Sequence, residues 1–371
     1  MNNDKLKTIL KVLGVILALY LFLVGIKGLS SGIKALGGDF ADSIMTTTSN
    51  PFISLLVGIL ATTLFQSSST TTSIIVGMVS TGAITLSGAI PMIMGANIGT
   101  TVTNTIVSMG HIRRGNEFKR AFSAATHHDI FNVLSVIILL PLELITKQYF
   151  GIGLIERTAT GLGTLLFGTI STDEVFKSPI KAAIKWGSKH IESLSFDSTA
   201  LYIILSVLLT FAMLFFLVKI LRSLVLHNIQ QYFDDYIFKS AARAMAFGII
   251  LTIMVQSSSI TTSTIVPLAG AGVVRLHQLY PFTIGANVGT TVTALLASLT
   301  LNVTAMVAGF AHLFFNIFGI VIIFLNPLLK NIPLDLADWL SEKAVDNRFL
   351  PLFYLLIFFF ILPFIFIYLW G

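Results

Sequence analysis

Long apolar runs alternate with short polar and basic segments along this chain. A run of about 20 apolar residues is long enough to cross a lipid bilayer as a helix. The runs that reach this length are residues 8–28, 83–110, 121–141, 199–221, 304–329 and 350–370. We therefore expect an all-α polytopic membrane protein.

Two polar tracts interrupt this apolar pattern. The first reads QSSSTTTS over residues 66–73, and the second reads QSSSITTS over residues 256–263. The apolar segments beside each tract are too short to span a bilayer alone. Polar sequence at membrane depth is tolerated only where it is buried in protein or lines a cavity. The pattern predicts a re-entrant helical hairpin over residues 51–80 and another over residues 241–272.

The two tracts belong to an internal repeat. Gln66 and Gln256 are separated by 190 positions (256 − 66), and GANIGTT at 95–101 matches GANVGTT at 285–291 at the same offset. Two glycines and an asparagine at mid-depth in each copy predict unwound backbone. We therefore expect one broken helix in each repeat.

The distribution of basic residues predicts how the two copies are oriented. Lys5, Lys7 and Lys11 place the N-terminus in the cytoplasm, and the basic loop 111–120 returns the chain to that side. The basic-leaning linker 219–243 starts the second copy from the inside, whereas the first copy starts from the outside. The copies are therefore predicted to be inverted about an axis in the membrane plane, an arrangement typical of secondary transporters. On this count the C-terminus lies outside.

The same signals divide the chain into five segments. They are the first transmembrane helix with a Gly/Ser-rich outer segment (1–50), repeat 1 (51–141), an extracellular loop with a transmembrane helix and a cytoplasmic linker (142–240), repeat 2 (241–329), and a charged loop with the last transmembrane helix (330–371). Within the third segment we expect amphipathic helices over residues 142–198. The first apolar run is expected to be a retained helix, because no small-residue cleavage site follows it.

Composition narrows the function classes further. Of the 371 residues, 55% are hydrophobic and 11% are charged, as is typical of a protein embedded in a lipid bilayer. The chain has no cysteine, which excludes disulfides, thiolate catalysis and iron–sulfur sites. The net charge of +6 follows from Lys and Arg in cytoplasmic loops, so we expect no nucleic-acid partner. Oligomeric state has no signal in the sequence.

Each QSSS tract has the chemistry of an anion site. A helix that restarts inside the membrane presents free backbone N–H groups and a partial positive charge. Serine hydroxyls beside them complete an anion site without a buried Lys or Arg, and two such sites facing each other suit phosphate. The glutamines can donate to the anion or fix the turn, while in the alternative interpretation the hydroxyls only link helices. The candidate phosphate ligands are Gln66, Ser67, Ser68, Ser69, Gln256, Ser257, Ser258 and Ser259.

The GAN motifs offer the hard oxygen ligands that suit Na⁺. They supply asparagine oxygens, threonine hydroxyls and backbone carbonyls, and the candidate ligands are Asn97, Thr100, Asn287 and Thr290. The alternative is that the glycines only allow close helix packing. No zinc motif such as HExxH is present, so Na⁺ is the one metal ion we expect.

Asp129 is the most isolated acidic residue within a predicted span. It lies in HDIFN at 128–132, which aligns with HLFFN at 312–316, so the acid is not duplicated. An intramembrane carboxylate is costly and marks a functional site, here a cation ligand or a proton carrier. Alternatively, Asp129 pairs with His127 or His128, or lies at the cytoplasmic end of its span. The histidines at the start of both stretches are expected to support helix packing, and the asparagines at their ends can bind ions or link helices.

The chain resembles the type II sodium–phosphate cotransporters in QSSSTTTS, GANIGTTVTN, RAFSAATHHDIFNVLSVIILLPLE, QSSSITTS and GANVGTTVT, from about residue 10 to residue 370. The resemblance implies Na⁺-driven uptake of inorganic phosphate across the cell membrane by alternating access, with no other cofactor. It implies phosphate binding by both QSSS stretches, electrogenic transport through Asp129, and Na⁺ binding by Asn132, Ala286 (through its backbone) and Thr290. Animal members have serine where Ala96 and Ala286 stand, so no side-chain ligand is expected there.

Three other functions fit parts of the sequence. A symporter of another small oxyanion, such as sulfate or arsenate, would use the same site. An intramembrane serine-type enzyme would use His127 or His128 as a base, but the serines are duplicated and no GxSxG motif is present. A passive anion channel would place rings of charge along its pore, and this chain has almost none at depth. We therefore expect a transporter and not an enzyme.

Overall fold

The computed structural model describes residues 3–168, 179–225 and 237–370, and every regular element within them is helical. The helices are α1 (Asn3–Ala35), α2 (Gly38–Ser49), α3 (Pro51–Phe65), α4 (Ser68–Thr81), α5 (Leu86–Gly99), α6 (Val102–Met109), α7 (Gly115–Phe150), α8 (Leu154–Phe167), α9 (Pro179–Ser193), α10 (Thr199–Val225), α11 (Ala241–Val255), α12 (Ser258–Gly270), α13 (Leu276–Ser298), α14 (Val303–Gly319), α15 (Ile332–Asp346), α16 (Leu350–Leu356) and α17 (Leu362–Trp370). A 3-10 turn, Ile237–Lys239, precedes α11. One π turn, Ile320–Phe324, extends α14, and another, Ile357–Ile361, joins α16 to α17.

Within the described residues, five helices are long and apolar enough to cross a membrane. They are α1, α7, α10, α14 with its π turn, and the joined α16 and α17. Each matches one predicted run, whereas the sixth run, 83–110, is divided between α5 and α6. Large apolar side chains such as Ile16 (60%) and Phe364 (63%) are exposed on these helices, as lipid contact requires. The prediction of an all-α, multi-pass membrane protein is confirmed.

Two predicted boundaries are wrong because the helices run further than the apolar pattern. α1 continues beyond residue 28, and α2 follows it almost at once, so the outer segment 29–50 is largely helical. The axes of residues 42–49 and 51–65 are then bent by 105°. Pro141 does not end its span, since α7 continues through it. A proline is tolerated in a membrane helix where neighbouring groups satisfy the freed carbonyl.

The charged segment 330–349 is also helical rather than a loop. α15 occupies most of it and packs against α7. The Ser123 hydroxyl donates to Asp338 across 2.6 Å, and Lys119 Nζ donates to Glu342 across 2.8 Å. Charged residues of the segment predicted as a loop therefore link α15 to α7. Helices are also present within 142–198, as α8 and α9, while much of the linker 219–243 lies outside the described residues.

Both QSSS tracts break a helix at their glutamine. Gln66 ends α3 with φ 52°, and Gln256 ends α11 with φ 56°, a left-handed conformation that is uncommon outside glycine. Each glutamine donates Nε2–H back to its own helix, to Thr63 O across 2.5 Å and to Ile253 O across 2.6 Å. These hydrogen bonds offset the strain of the left-handed backbone. α4 and α12 begin two residues after the respective glutamines.

The glycines of the GAN motifs pack helices together instead of unwinding them. A Cβ atom at Gly95 would collide with the Leu55 carbonyl oxygen, and one at Gly285 would collide with that of Met245. α3 therefore lies close on α5, and α11 lies close on α13. α13 runs unbroken through its whole motif, so the predicted broken helix is wrong for the second copy. In the first copy the helix is interrupted only between α5 and α6, after the second glycine.

The helix that follows each break packs against the other copy of the repeat. α4 contacts α13 and α14, and α12 contacts α6 and α7. α1 and α10 pack on each other, and α1 also contacts α4. The crossed packing of α4 and α12 brings the two QSSS tracts to one place.

Candidate functional site

The two QSSS tracts are in direct contact. The Ser69 hydroxyl donates to the Gln256 carbonyl oxygen across 3.3 Å, which links the start of α4 to the break between α11 and α12. The first helical serine after each break is buried, with exposed fractions of 3% for Ser68 and 2% for Ser258. The predicted phosphate ligands of the two copies are thus brought together.

Each tract starts its second helix with a serine cap. Ser67 Oγ accepts from Thr70 N–H across 3.2 Å, and Ser257 Oγ accepts from Ile260 N–H across 3.3 Å. The N–H groups of the two residues between cap and capped residue have no acceptor in their own helix. The positive ends of two helix dipoles therefore lie at the tracts, an arrangement that favours a small anion.

The glutamines are anchored by two threonines that sequence reasoning missed. Thr103 donates its hydroxyl to Gln66 Oε1, and Thr293 donates to Gln256 Oε1, both across 2.9 Å. Because Nε2 of each amide also bonds to its own helix, the glutamines fix the turn and keep one N–H for a ligand. The repeat contained the signal, since the two threonines are themselves 190 positions apart (293 − 103).

The two tracts differ in exposure. The Gln66 side chain is exposed, whereas Gln256 is only 7% exposed. The second tract is held by an additional hydrogen bond, in which the Thr262 hydroxyl donates to Asn104 Oδ1 across 3.0 Å. The second-copy equivalent of Asn104 is Ala294, so this bond has no counterpart. The first tract is therefore more open than the second.

Three asparagines and a histidine form a continuous buried network. His128 Nε2–H donates to Asn287 Oδ1 across 2.6 Å, and Asn287 Nδ2 donates to Asn132 Oδ1 across 2.8 Å. Asn132 Nδ2 in turn donates to the Asn97 carbonyl oxygen across 3.1 Å. His128 Nδ1, which carries no proton in this tautomer, lies 3.3 Å from the Thr101 hydroxyl. The predicted Na⁺ ligands from three helices thus meet, joined by a histidine.

A second histidine makes the reciprocal contact. His312 Nε2 lies 3.4 Å from Asn97 Oδ1, and His128 Nε2 lies 2.6 Å from Asn287 Oδ1, so each histidine reaches the asparagine of the other copy. Mirrored contacts of this kind are what a two-fold relation produces. The second set is less complete, since His312 Nδ1 and Asn316 Oδ1 have no hydrogen-bond partner among the described residues. The sequence led us to expect that these histidines mainly support helix packing.

The other neutral candidates for Na⁺ bond to their own helices. Thr100 Oγ1 donates to Ala96 O across 3.0 Å, and Thr290 Oγ1 donates to Ala286 O across 3.1 Å. Hydroxyl and carbonyl oxygens each keep a lone pair for a cation. Within the part of the chain that the structure describes, no cluster of three His or acidic side chains is placed to hold a metal ion. A cation in the asparagine network would therefore rest on neutral oxygens.

Asp129 lies outside this network. Its side chain is 2% exposed, and Oδ1 has no hydrogen-bond partner among the described residues. The alternative pairing with a histidine is not made, because His127 bonds to Thr283 across 3.1 Å and His128 bonds to Asn287. The carboxylate instead lines a separate cavity beside α3, α7 and the last two helices.

The chain is similar in sequence to a family of known transport proteins. A family profile described as Na+/Pi-cotransporter matches residues 21–171 and 208–326. The sodium-dependent phosphate transport protein 2A of Ovis aries is 34% identical over 96% of this chain and 67% of its own length. Protein 2B of Homo sapiens is 32% identical over 93% of this chain and 63% of its own length, so the chain spans about two thirds of these relatives. No solved structure matches. The chain therefore belongs to the Na+/Pi-cotransporter family, whose members are transporters and not enzymes.

Proposed function

We propose that this protein couples Na⁺ entry to the uptake of inorganic phosphate across the cell membrane. The observation that carries the proposal is the contact of the two QSSS tracts through Ser69 and Gln256. The relatives named above are sodium-dependent phosphate transport proteins, and the matched regions include both tracts. Na⁺ is the coupling ion, and no other cofactor is needed.

Phosphate binds between the starts of α4 and α12 in this proposal. Free N–H groups and serine hydroxyls from both copies supply donors for the phosphate oxygens, and two helix dipoles offset part of the negative charge. A buried Lys or Arg is then not required. The residues assigned to phosphate are Gln66, Ser67, Ser68, Ser69, Gln256, Ser257, Ser258 and Ser259.

Na⁺ binds within the asparagine network in this proposal. The side-chain oxygens of Asn132 and Asn287 each accept one hydrogen bond in this structure, so each keeps a second lone pair for Na⁺ while His128 holds Asn287 in position. An ion shared by these oxygens changes the contact between α7 and α13, and α13 also packs against α4. The two ligands are thereby coupled. The other residues assigned to Na⁺ are Asn97, Thr100, Asp129, Ala286 and Thr290.

Transport proceeds by alternating access between two inverted repeats. The reciprocal histidine–asparagine contacts support a two-fold relation, and the positions of the basic loops support an axis in the membrane plane. In such a protein, a state in which the site is open to one side of the membrane would have one tract exposed and the other buried, as Gln66 and Gln256 are here. The N-terminus lies in the cytoplasm, so trypsin added to the cytoplasmic face of oriented vesicles should cut the basic segment 111–120, which is not wholly a loop because α7 begins at Gly115. Cleavage from the opposite face would contradict this orientation.

The decisive experiment is uptake of radiolabelled phosphate into proteoliposomes with an inward Na⁺ or K⁺ gradient. We expect uptake with Na⁺ alone, and its loss in Ser68→Ala and in Gln256→Ala at normal protein yield. Ser193→Ala, on the exposed face of α9, is the matched control and should transport normally. Uptake that needs no Na⁺, or that survives Ser68→Ala, would refute the proposal. Excess sulfate should not compete; competition would identify a broader oxyanion carrier.

Electrogenic transport is proposed from Asp129. Asp129→Gly should abolish or strongly reduce the net charge moved with each phosphate, because it removes an acidic group within the membrane. Phosphate-induced current is measured beside tracer uptake in the same proteoliposomes. A wild-type ratio of charge to phosphate in the variant would remove Asp129 from the Na⁺ set.

A further inference from the structure

Three helices begin around one cavity, whose volume is about 490 Å³. Its lining includes Ser240 directly before α11, His277 in the first turn of α13, and Asn331 directly before α15. Phe324, which ends the membrane-spanning segment formed by α14 and its π turn, also lines the cavity. The cavity therefore lies at one surface of the membrane. None of the residues of the QSSS tracts or of the asparagine network belongs to its lining.

The helix starts supply backbone donors for an anion. The first N–H groups of a helix have no acceptor within it, and together with the helix dipole they carry a partial positive charge. At α11 the Ser240 hydroxyl accepts from Arg243 N–H across 3.3 Å, which leaves the two preceding N–H groups without an acceptor in their own helix. The Asn331 side chain makes no such bond to α15. The positive ends of three helix dipoles therefore lie around this cavity, an arrangement that favours an anion.

Two lysines add full positive charges to the same lining. Lys239 and Lys330 are exposed, and neither forms an ion pair with a described residue. Lys330 Nζ lies 5.2 Å from the ring centroid of Phe324, a cation–π contact that holds the ammonium group at the cavity wall. No Asp or Glu among the described residues lines the cavity, and Asp335 in the first turn of α15 lies outside the lining. A bound anion would therefore offset an uncompensated positive charge.

Tyr280 adds a hydroxyl group that lacks a partner. It belongs to the lining, its side chain is 1% exposed, and its hydroxyl makes no hydrogen bond with any described residue. A buried polar group without a hydrogen bond costs free energy. An oxygen atom of a ligand in the cavity would supply the missing acceptor.

The surroundings of the cavity favour an anion that is carried by a lipid. Leu325 and Leu328, between the π turn and α15, are 62% and 85% exposed, and Lys330 follows two residues later. Apolar side chains beside a lysine at the end of a membrane helix match the boundary between acyl chains and headgroups. A phospholipid gains from both kinds of surface, whereas a free anion gains only from the charges.

We propose that this basic cavity, between Lys239 and Lys330, binds the phosphate headgroup of an anionic phospholipid. The phosphate accepts from the two ammonium groups and from the N–H groups of the helix starts, while an acyl chain covers the exposed leucines. Basic pockets between membrane helices bind anionic headgroups in this way. On the orientation proposed above, the lipid belongs to the cytoplasmic leaflet. It holds α11 and α13 of repeat 2 against α15, and it is a bound ligand of the protein rather than its cargo.

The test is binding of tritiated dioleoylphosphatidic acid to the purified full chain in a non-ionic detergent. We expect saturable binding that unlabelled dioleoylphosphatidic acid displaces. Dioleoylphosphatidylcholine has the same chains without a net charge, so it should displace the probe poorly. Equal displacement by the two lipids would overturn the proposal and indicate an acyl-chain groove. Displacement by inorganic phosphate as effective as by the unlabelled lipid would also overturn it, and would assign the cavity to the free anion.

Substitutions of the two lysines locate the probe. A lysine at the membrane surface contributes about fivefold to the affinity for an anionic lipid, so Lys239→Gln and Lys330→Gln should each weaken binding by about that factor, and the double variant by at least about tenfold. Lys330→Arg keeps the charge and should bind normally. Lys343→Gln, at an exposed position of α15 outside the lining, is the matched control and should bind like the wild type. Wild-type affinity in the double variant would refute the site. Because binding is measured without Na⁺ and without transport, its outcome is independent of the uptake experiment.

Discussion

Replacing Thr293 by valine should destabilise the protein more than the same replacement at Thr103. Both threonines donate a hydroxyl to the glutamine of a QSSS tract across 2.9 Å, so the two substitutions remove the same bond with the same change of shape. Their surroundings differ, because Gln256 is 7% exposed whereas Gln66 is exposed. The pair therefore isolates the effect of burial on one interaction.

The magnitude follows from what becomes of each glutamine oxygen. Gln256 Oε1 loses its donor in a buried place, and an unsatisfied buried acceptor costs about 1–3 kcal/mol. At Gln66 water can replace the hydroxyl, and changes at such exposed positions are usually within about 0.5 kcal/mol. We expect Thr293→Val to lower the free energy of unfolding by at least about 1 kcal/mol more than Thr103→Val.

The assay is equilibrium unfolding of the purified protein in mixed micelles, followed by far-ultraviolet circular dichroism. Thr293→Ser and Thr103→Ser keep the hydroxyl and should recover most of any loss. Equal destabilisation at the two positions would refute the reasoning, since it would mean that the tracts are equally buried on average. A larger effect at Thr103 would also refute it, and would indicate that Gln66 faces lipid and not water.

Three further predictions test the packing and the network. Gly248→Ala should lower the yield of folded protein, since its Cβ would collide with a carbonyl oxygen of α13 and overpacking costs about 1–3 kcal/mol. Gly77→Ala is the control, because a Cβ atom there would meet nothing within 4 Å. Equal yields of the two variants would contradict close packing at Gly248. His128→Leu should raise the Na⁺ concentration for half-maximal phosphate uptake, because Asn287 loses its positioning donor. His128→Gln should restore the wild-type Na⁺ dependence, and an unchanged Na⁺ dependence in His128→Leu would exclude this role. Glu143→Ala should destabilise the first turn of α8 by about 1.5–3 kcal/mol, because the carboxylate accepts two of its backbone N–H groups at 2.6 Å and 3.1 Å; unchanged hydrogen exchange there would refute this.

Local pattern was enough to predict the membrane class and the paired helix breaks. Apolar runs of spanning length leave few alternatives to helices in lipid, because every backbone polar group must be satisfied within the segment. The duplicated tracts at 66–73 and 256–263 marked where the helices break, and the breaks occur at the glutamines. The glycine motifs were predicted to unwind their helices, and α13 runs unbroken through the second motif. Glycine permits both unwinding and close packing, and only the neighbouring helix decides between them.

The sequence by itself determined that this protein lies in a lipid bilayer, that it is helical and that it has two repeated tracts. These properties depend on residues near one another in the chain. Only the tertiary structure decided which side chains meet across the repeats. The contacts of His128 with Asn287, and of Thr262 with Asn104, join residues that are 159 and 158 positions apart in the chain. The isolation of Asp129 in an apolar cavity likewise depends on the packing of the last helices against α7. Such contacts depend on how whole helices cross, which no local periodicity encodes.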